Sequence, residues 1–252
     1  MVQANETSVE QAVADAPSAC AELVALAAGH RRSHRQVNVH DTRRHWVGSA
    51  RTYSYQTHIA INDQPPERLD WLTDVFFNAA GMASQPWYPQ FRGGEAMALE
   101  AEAGEGIARH QLTLGCFDLG LSAPRCYRQL VSLAAPDAHT RVIIARSVGE
   151  GPALPRDTRL AYTLDPNGEV LHFEDGRLHW HHICCTPGAA VLPGVLDRWL
   201  INTLRRAGLD AAERRTYREE AQRLRDWLSG PEAPKAEADA GNAPLSTLKE
   251  SL

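Results

Sequence analysis

Absences narrow this sequence before any motif does. No stretch approaches the roughly 18 consecutive apolar residues that a membrane-crossing helix needs. Positive charge is not in excess. Against 31 Asp and Glu stand 26 Lys and Arg, a net −5, whereas a dedicated nucleic-acid binder is usually basic. Cysteine is scarce and odd in number, five residues without framework spacing. That pattern predicts free thiols in a reducing cytoplasm rather than a disulfide scaffold. No Cys-x-x-Cys, His-Glu-x-x-His, nucleophile elbow, phosphate loop or dinucleotide fingerprint occurs, so the common enzyme signatures are missing. The opening "MVQANETSVEQAVADAP" is acidic and lacks the basic start and apolar core of a secretory signal.

What is present is ordinary for a globular chain of 252 residues, 43% apolar and 23% charged. Composition divides it into three: a peripheral arm at 1–47, a folded part at 48–228, and a tail at 229–252 rich in Ala, Pro, Gly and charge. Within the arm, "SACAELVALAAGHRR" reads as a short helix with Leu23, Leu26 and Ala27 on one face. The following "HRRSHRQVNVHDTRRH" carries Arg31, Arg32, Arg35, Arg43 and Arg44. It reads as a solvated linker, or as a patch for transient contact with an anionic membrane surface.

In the folded part, "RTYSYQTHIAI" alternates with period two, a strand. "QPPERLDWLTDVFFNAAG" places its prolines at a helix start and Leu69, Leu72 and Phe76 on one stripe. Five strand-like runs follow, from "GIARHQLTL" to "RLHWHHICCT", separated by the turn signals "APDAH", "DPNG" and "FEDG". Short links make antiparallel neighbours. "PGVLDRWLINTLRRAG" is a helix with Leu196, Trp199, Leu200 and Thr203 at helical spacing. A second helix at 211–228 follows a capping-box spacing, Asp210 to Glu213. The expected class is therefore α+β: a curved antiparallel sheet covered by a long helix, with an apolar cavity between them.

The run from Arg177 to Thr186 holds His179, His181, His182, Cys184 and Cys185. On a strand these residues alternate between faces, so the apparent metal cluster splits in two. A zinc site needs three or four ligands, and no metal is expected. The expectation is that His179 and His181 line the inner wall, as polar pins in an apolar pocket or as acid–base groups.

The stretch 124–161 resembles the core of the START lipid-transfer domain: Pro124-Arg125-Cys126-Tyr127, then Arg146-Ser147-Val148, Pro155 and Arg159. The entry into the C-terminal helix, with Gly188, Pro193, Trp199, Ile201 and Asn202, is similar to that family as well, as are Trp87 and Pro89 after the early helix. The resemblance covers about 52–208. It departs at Cys126, where the family usually has aspartate, and it leaves out the 211–228 helix and the basic arm. It implies a helix-grip fold, a bent sheet wrapped around a long C-terminal helix, and non-catalytic binding, transfer or sensing of a lipid, sterol or fatty acyl ligand. The wider superfamily's cyclases and hydrolases supply the enzymatic alternative, for which His181 with Tyr127 or Asp118 is the candidate pair.

The expected ligand wall comprises Arg125, Tyr127, Arg146, His179 and His181 from the strands. Leu196, Trp199, Leu200 and Thr203 come from the helix. Arg125 is the first choice for a head-group contact, since a guanidinium on an inner wall needs a partner. The loop "VGEGPALPRD" is a candidate gate. No cofactor is expected.

Overall fold

The computed structural model describes residues 7–30, 37–47, 50–61, 64–100, 106–118, 123–187, 219–220 and 222–228. A curved antiparallel sheet forms its centre. The strands are β1 (Val37–Val47), β2 (Ala50–Ile61), β3 (Phe91–Leu99), β4 (Ile107–Phe117), β5 (Arg125–Asp137), β6 (Thr140–Ser147), β7 (Arg159–Ala161), β8 (Leu164–Glu174) and β9 (Arg177–Pro187). Their spatial order is β1-β2-β9-β8-β6-β5-β4-β3, with the short β7 parallel to the start of β5.

Each face of the sheet is covered by helix. On the outer face lie α1 (Val9–Ala14) and α2 (Ala16–His30). Ser8 caps α1 by accepting the Gln11 N–H. Ala16, Cys20, Leu23 and Ala27 recur at helical spacing and bury against Val142, Ile144, Val170 and Ile183. The segment expected to be peripheral is thus a structural layer, and the basic stretch contributes the edge strand β1, antiparallel to β2. β-branched valines at Val37, Val39 and Val47 suit that strand.

On the inner face lies α3 (Glu67–Phe77), which begins just after Pro65 and Pro66 and has Glu67 and Asp70 in its first turn, where carboxylates suit the helix dipole. Its stripe Leu69, Leu72 and Phe76 is buried, as the spacing predicts. Residues 219–220 and 222–228 are helical and share this face. Leu224 and Leu228 join Leu72, Phe76, Trp87 and Trp180 in the largest apolar cluster. Trp227 stacks on Trp71, with ring centroids 5.4 Å apart. Full burial of a leucine such as Leu72 stabilises the fold by about 1.5–3 kcal/mol. Arg141 ties β6 to Asp70 of α3 at 2.8 Å, and Arg109 of β4 pairs with Asp74.

Two turn signals act as written. The Asp137–Thr140 corner joins β5 to β6. Asp175 and Gly176 both take positive φ, 48° and 72°, in the tight β8–β9 hairpin. "DPNG" instead lies inside β8, where the register with β9 shifts between Leu164 and Gly168. A Cβ on Gly168 would stand 2.2 Å from the Ile143 carbonyl oxygen and 2.9 Å from Leu23, so glycine lets β6 and α2 close over the bulge.

The free-thiol expectation fails at Cys116 and Cys126, which face each other across β4 and β5 and form a disulfide. Their spacing of ten residues carried no framework signature; strand register brings them together. Cys20 is a buried free thiol.

Candidate functional site

Strand alternation places Trp180 and His182 of β9 on the inner face with Leu178, while His179, His181 and Ile183 point outward. On β8, Glu169 and Leu171 share the inner face, and register sets Glu169 beside His182. The Trp180 indole N–H donates to the Glu169 carboxylate at 2.8 Å. The C-terminal helical segment brings the third group. Glu220 precedes Leu224 and Leu228 by four and eight residues, so it lies on the same buried stripe. Its Oε1 stands 3.6 Å from His182 Nδ1, beyond hydrogen-bond distance.

Burial controls protonation here. Desolvation pushes Glu169 up to about 7, the Trp180 hydrogen bond pulling the other way. It pushes His182 down to about 4. Glu220 rises well above the usual carboxylate range, through burial first and the neighbouring Glu169 charge second. Burial thus favours the uncharged form of both partners, the carboxylic acid at Glu220 and the neutral imidazole at His182. Their contact is not an ion pair. Glu220 is 5% exposed, and its Oε2 has no hydrogen-bond partner among the described residues. It lines a cleft with Trp87, Tyr88, Gln90, Glu219 and Arg223 that leaves about 20 Å³ free, room for one water molecule.

Further polar side chains lie on β8, β6 and β5 beside the apolar cluster. Asn167 precedes Glu169 by two residues and donates to the Ala145 carbonyl at 3.0 Å. Next along β6, the Ser147 hydroxyl lies 3.2 Å from the Thr163 hydroxyl. Gln129 of β5 donates to Thr163 at 3.1 Å. The inner face thus has an apolar part, under α3 and the C-terminal segment, and a polar band beside it.

The expected wall residues separate. Arg125 and Tyr127 share the inner face with Gln129, and Tyr127 meets Phe117 edge-on at 5.8 Å. Arg146 is on the opposite face, 3.0 Å from Asp15 at the start of α2. That guanidinium holds the Asp15 carboxyl below its ordinary range. His179 faces outward beside His172, ring centroids 6.4 Å apart. His181, 2% exposed, faces outward next to Val170 and Ile183. The inner-wall expectation for these three is corrected because helices cover both faces, so burial and alternation do not tell inside from outside. Leu196, Trp199, Leu200 and Thr203 lie outside the described residues. His181 and Tyr127 point to opposite faces, and Asp118 pairs with Arg92 at 3.2 Å near the surface, so the expected acid–base pair does not assemble. Arg128 donates to the carbonyls of Gly149 and Pro152, pinning the start of the expected gate. No three His, Cys, Asp or Glu side chains gather as metal ligands among the described residues.

Sequence reasoning missed Glu169, His182 and Glu220. A signal for Glu220 was present, a glutamate on the apolar stripe of its helix. For Glu169 it was the shared parity with Leu171.

No protein-family model and no curated sequence matches the chain. Solved structures do. Human StAR-related lipid transfer protein 5 matches at TM-score 0.51 and 11% identity, over 86% of this chain and 97% of that one. A STAR-related lipid transfer protein from Xanthomonas axonopodis matches at TM-score 0.49 and 12% identity, over 78% and 100%. Human STARD10 matches at TM-score 0.45 and 13% identity, over 83% and 82%. The chain has the helix-grip fold of the StAR-related lipid transfer domain.

Proposed function

We propose that the chain binds a hydrophobic small molecule, a lipid, sterol or fatty acyl compound, without transforming it, and carries or senses it. The observation behind this reading is the fold shared with the human lipid transfer protein 5, together with an inner face that combines apolar and polar bands. Such a face suits an amphipathic guest: apolar area supplies affinity, about 0.8 kcal/mol per buried methylene before ordering costs, and a few polar groups fix orientation.

The space beside Glu220 holds one water, whereas a drug-sized guest needs roughly 300–1,000 Å³. In this proposal the ligand lies over the remaining inner face, beside Tyr127, Gln129, Ser147 and Thr163, with Arg125 at the margin. Leu196, Trp199, Leu200 and Thr203 close the site from the C-terminal side. The basic stretch meets anionic lipid during exchange.

Native mass spectrometry of the mildly purified protein tests the proposal. Expected is a co-purified hydrophobic ligand, or uptake of a sterol, fatty alcohol or phospholipid offered from cyclodextrin or vesicles. Absence of both overturns it.

A second reading rests on Glu169, His182 and Glu220. A protonated acid beside a neutral imidazole is a donor–acceptor pair suited to acid–base chemistry, as a cyclase or hydrolase of an apolar substrate requires. Under that reading the bound compound returns chemically changed, and His182→Ala abolishes turnover but not uptake. Recovery of unchanged ligand from the wild type removes it.

A further inference from the structure

We propose that Glu220, backed by its neighbours His182 and Glu169, is a head-group subsite for an uncharged oxygen, a hydroxyl or carbonyl, and discriminates against carboxylate ligands. This deepens the ligand-binding reading and rests on it.

Three observations carry the assignment. First, Glu220 is buried and turned in two directions: Oε1 toward His182, and Oε2 without a hydrogen-bond partner among the described residues. A buried polar atom left unpaired costs about 1–3 kcal/mol, so an oxygen placed against it recovers that loss. Second, Glu220 borders a cleft with room for one oxygen-sized group, walled by the apolar surfaces of Trp87, Tyr88 and Pro89. Third, polar groups lie beside the apolar core: Gln129, Thr163 and Ser147 are hydrogen-bonded to one another, and Asn167, two residues before Glu169, bonds the Ala145 carbonyl.

Charge decides the class of head group. The titratable groups around the cluster are Glu169 on β8, His182 on β9, and Glu219 and Arg223 on the C-terminal segment itself. Glu219 and Arg223 both line the cleft. Inside, the groups are a carboxylic acid, an imidazole and a second carboxyl. A protonated Glu220 offers one O–H donor and a carbonyl acceptor at the cleft, which satisfies an alcohol or a ketone. A carboxylate would add a second anion beside Glu169 in a desolvated site, which opposes binding. Arg125, at the far end of the polar band, is the alternative anchor for an anion.

The test uses the full chain and two probes of equal length, hexadecanol and hexadecanoate, delivered from cyclodextrin at pH 7.5. Binding is read by tryptophan fluorescence and native mass spectrometry. Expected is a preference for the alcohol of about tenfold or more. Glu220→Gln, which keeps an uncharged donor and acceptor, retains the preference. Glu220→Ala reduces it to within about threefold, and circular dichroism verifies that the variant is folded. Should Glu220→Ala fail to fold, Glu220→Gln together with His182→Phe decides instead, the second losing the preference. Equal binding of both probes overturns the subsite and leaves the ligand-binding reading standing. Tighter binding of hexadecanoate, abolished in Arg125→Ala, places the head group at the other end and overturns the subsite too. Uptake of neither probe, with no other lipid bound, removes both.

Discussion

Trp180 and Glu169 lie diagonally across the β8–β9 ladder, and the indole N–H reaches the carboxylate at 2.8 Å. The tryptophan is 1% exposed and in contact with Phe76 of α3, ring centroids 5.8 Å apart. One side chain therefore links the apolar core to the buried acid–histidine cluster. Polar groups so placed make stability depend on pH.

The sign follows from each group. Glu169 binds its proton more tightly in the folded chain, about 7 against an ordinary 4.5. From about pH 4.5 to 7 its contribution to stability is lost as pH rises. His182 is shifted the other way, about 4 against 6.5, so its contribution grows as pH rises across that window. These two largely offset. Glu220, raised by burial and by Glu169, adds a second loss with rising pH. Urea titrations of Glu169→Gln at pH 8 should give a protein more stable than wild type by roughly 1–3 kcal/mol. At pH 4.5 the advantage should vanish. Equal stability at both pH values would show that the carboxyl is not desolvated.

Leu224→Ala tests whether the C-terminal segment belongs to the core. Its side chain is fully buried among Leu72, Trp87 and Trp180. Truncation should cost about 2–5 kcal/mol in denaturant unfolding. A loss below about 0.5 kcal/mol would detach the segment from the inner face.

The Cys116–Cys126 disulfide closes a loop of sequence separation ten. Loop-closure arguments give it about 2–3 kcal/mol. Reduction, or Cys116→Ala with Cys126→Ala, should lower the melting temperature by several degrees, measured by calorimetry. An unchanged melting temperature would refute the cross-link as a stabilising element.

Arg146→Ala separates two roles for one residue. With its guanidinium on Asp15, removal should speed hydrogen exchange in α1 and α2 and leave ligand uptake unchanged. Lost uptake with unaltered exchange would return Arg146 to the ligand wall.

Much of the fold is legible in the sequence because local rules act there unopposed. The α3 stripe, the period-two β2 and the Asp175–Gly176 hairpin follow from spacing and turn chemistry. β3 does not, since Phe91–Leu99 is an edge strand with two glycines and mostly exposed residues, which leaves little alternation to read. "DPNG" misleads because Gly168 serves close approach rather than chain reversal. The faces were illegible for another reason. Apolar partners on both sides make Ile183 and Trp180 equally good interior residues, and only tertiary packing assigns His182 rather than His181 to the inner side. The disulfide depended on register between β4 and β5, which cysteine counting does not contain.

The α1–α2 layer sets a limit on how this protein can be shortened. Ala134, Val142, Ile144, Val170 and Ile183 owe their shelter from water to helices that end at residue 30. An expressed fragment beginning at the first strand would present that greasy side to solvent and associate through it. The shortest well-behaved version of the molecule starts ahead of Ser8, whose hydroxyl opens the first helix.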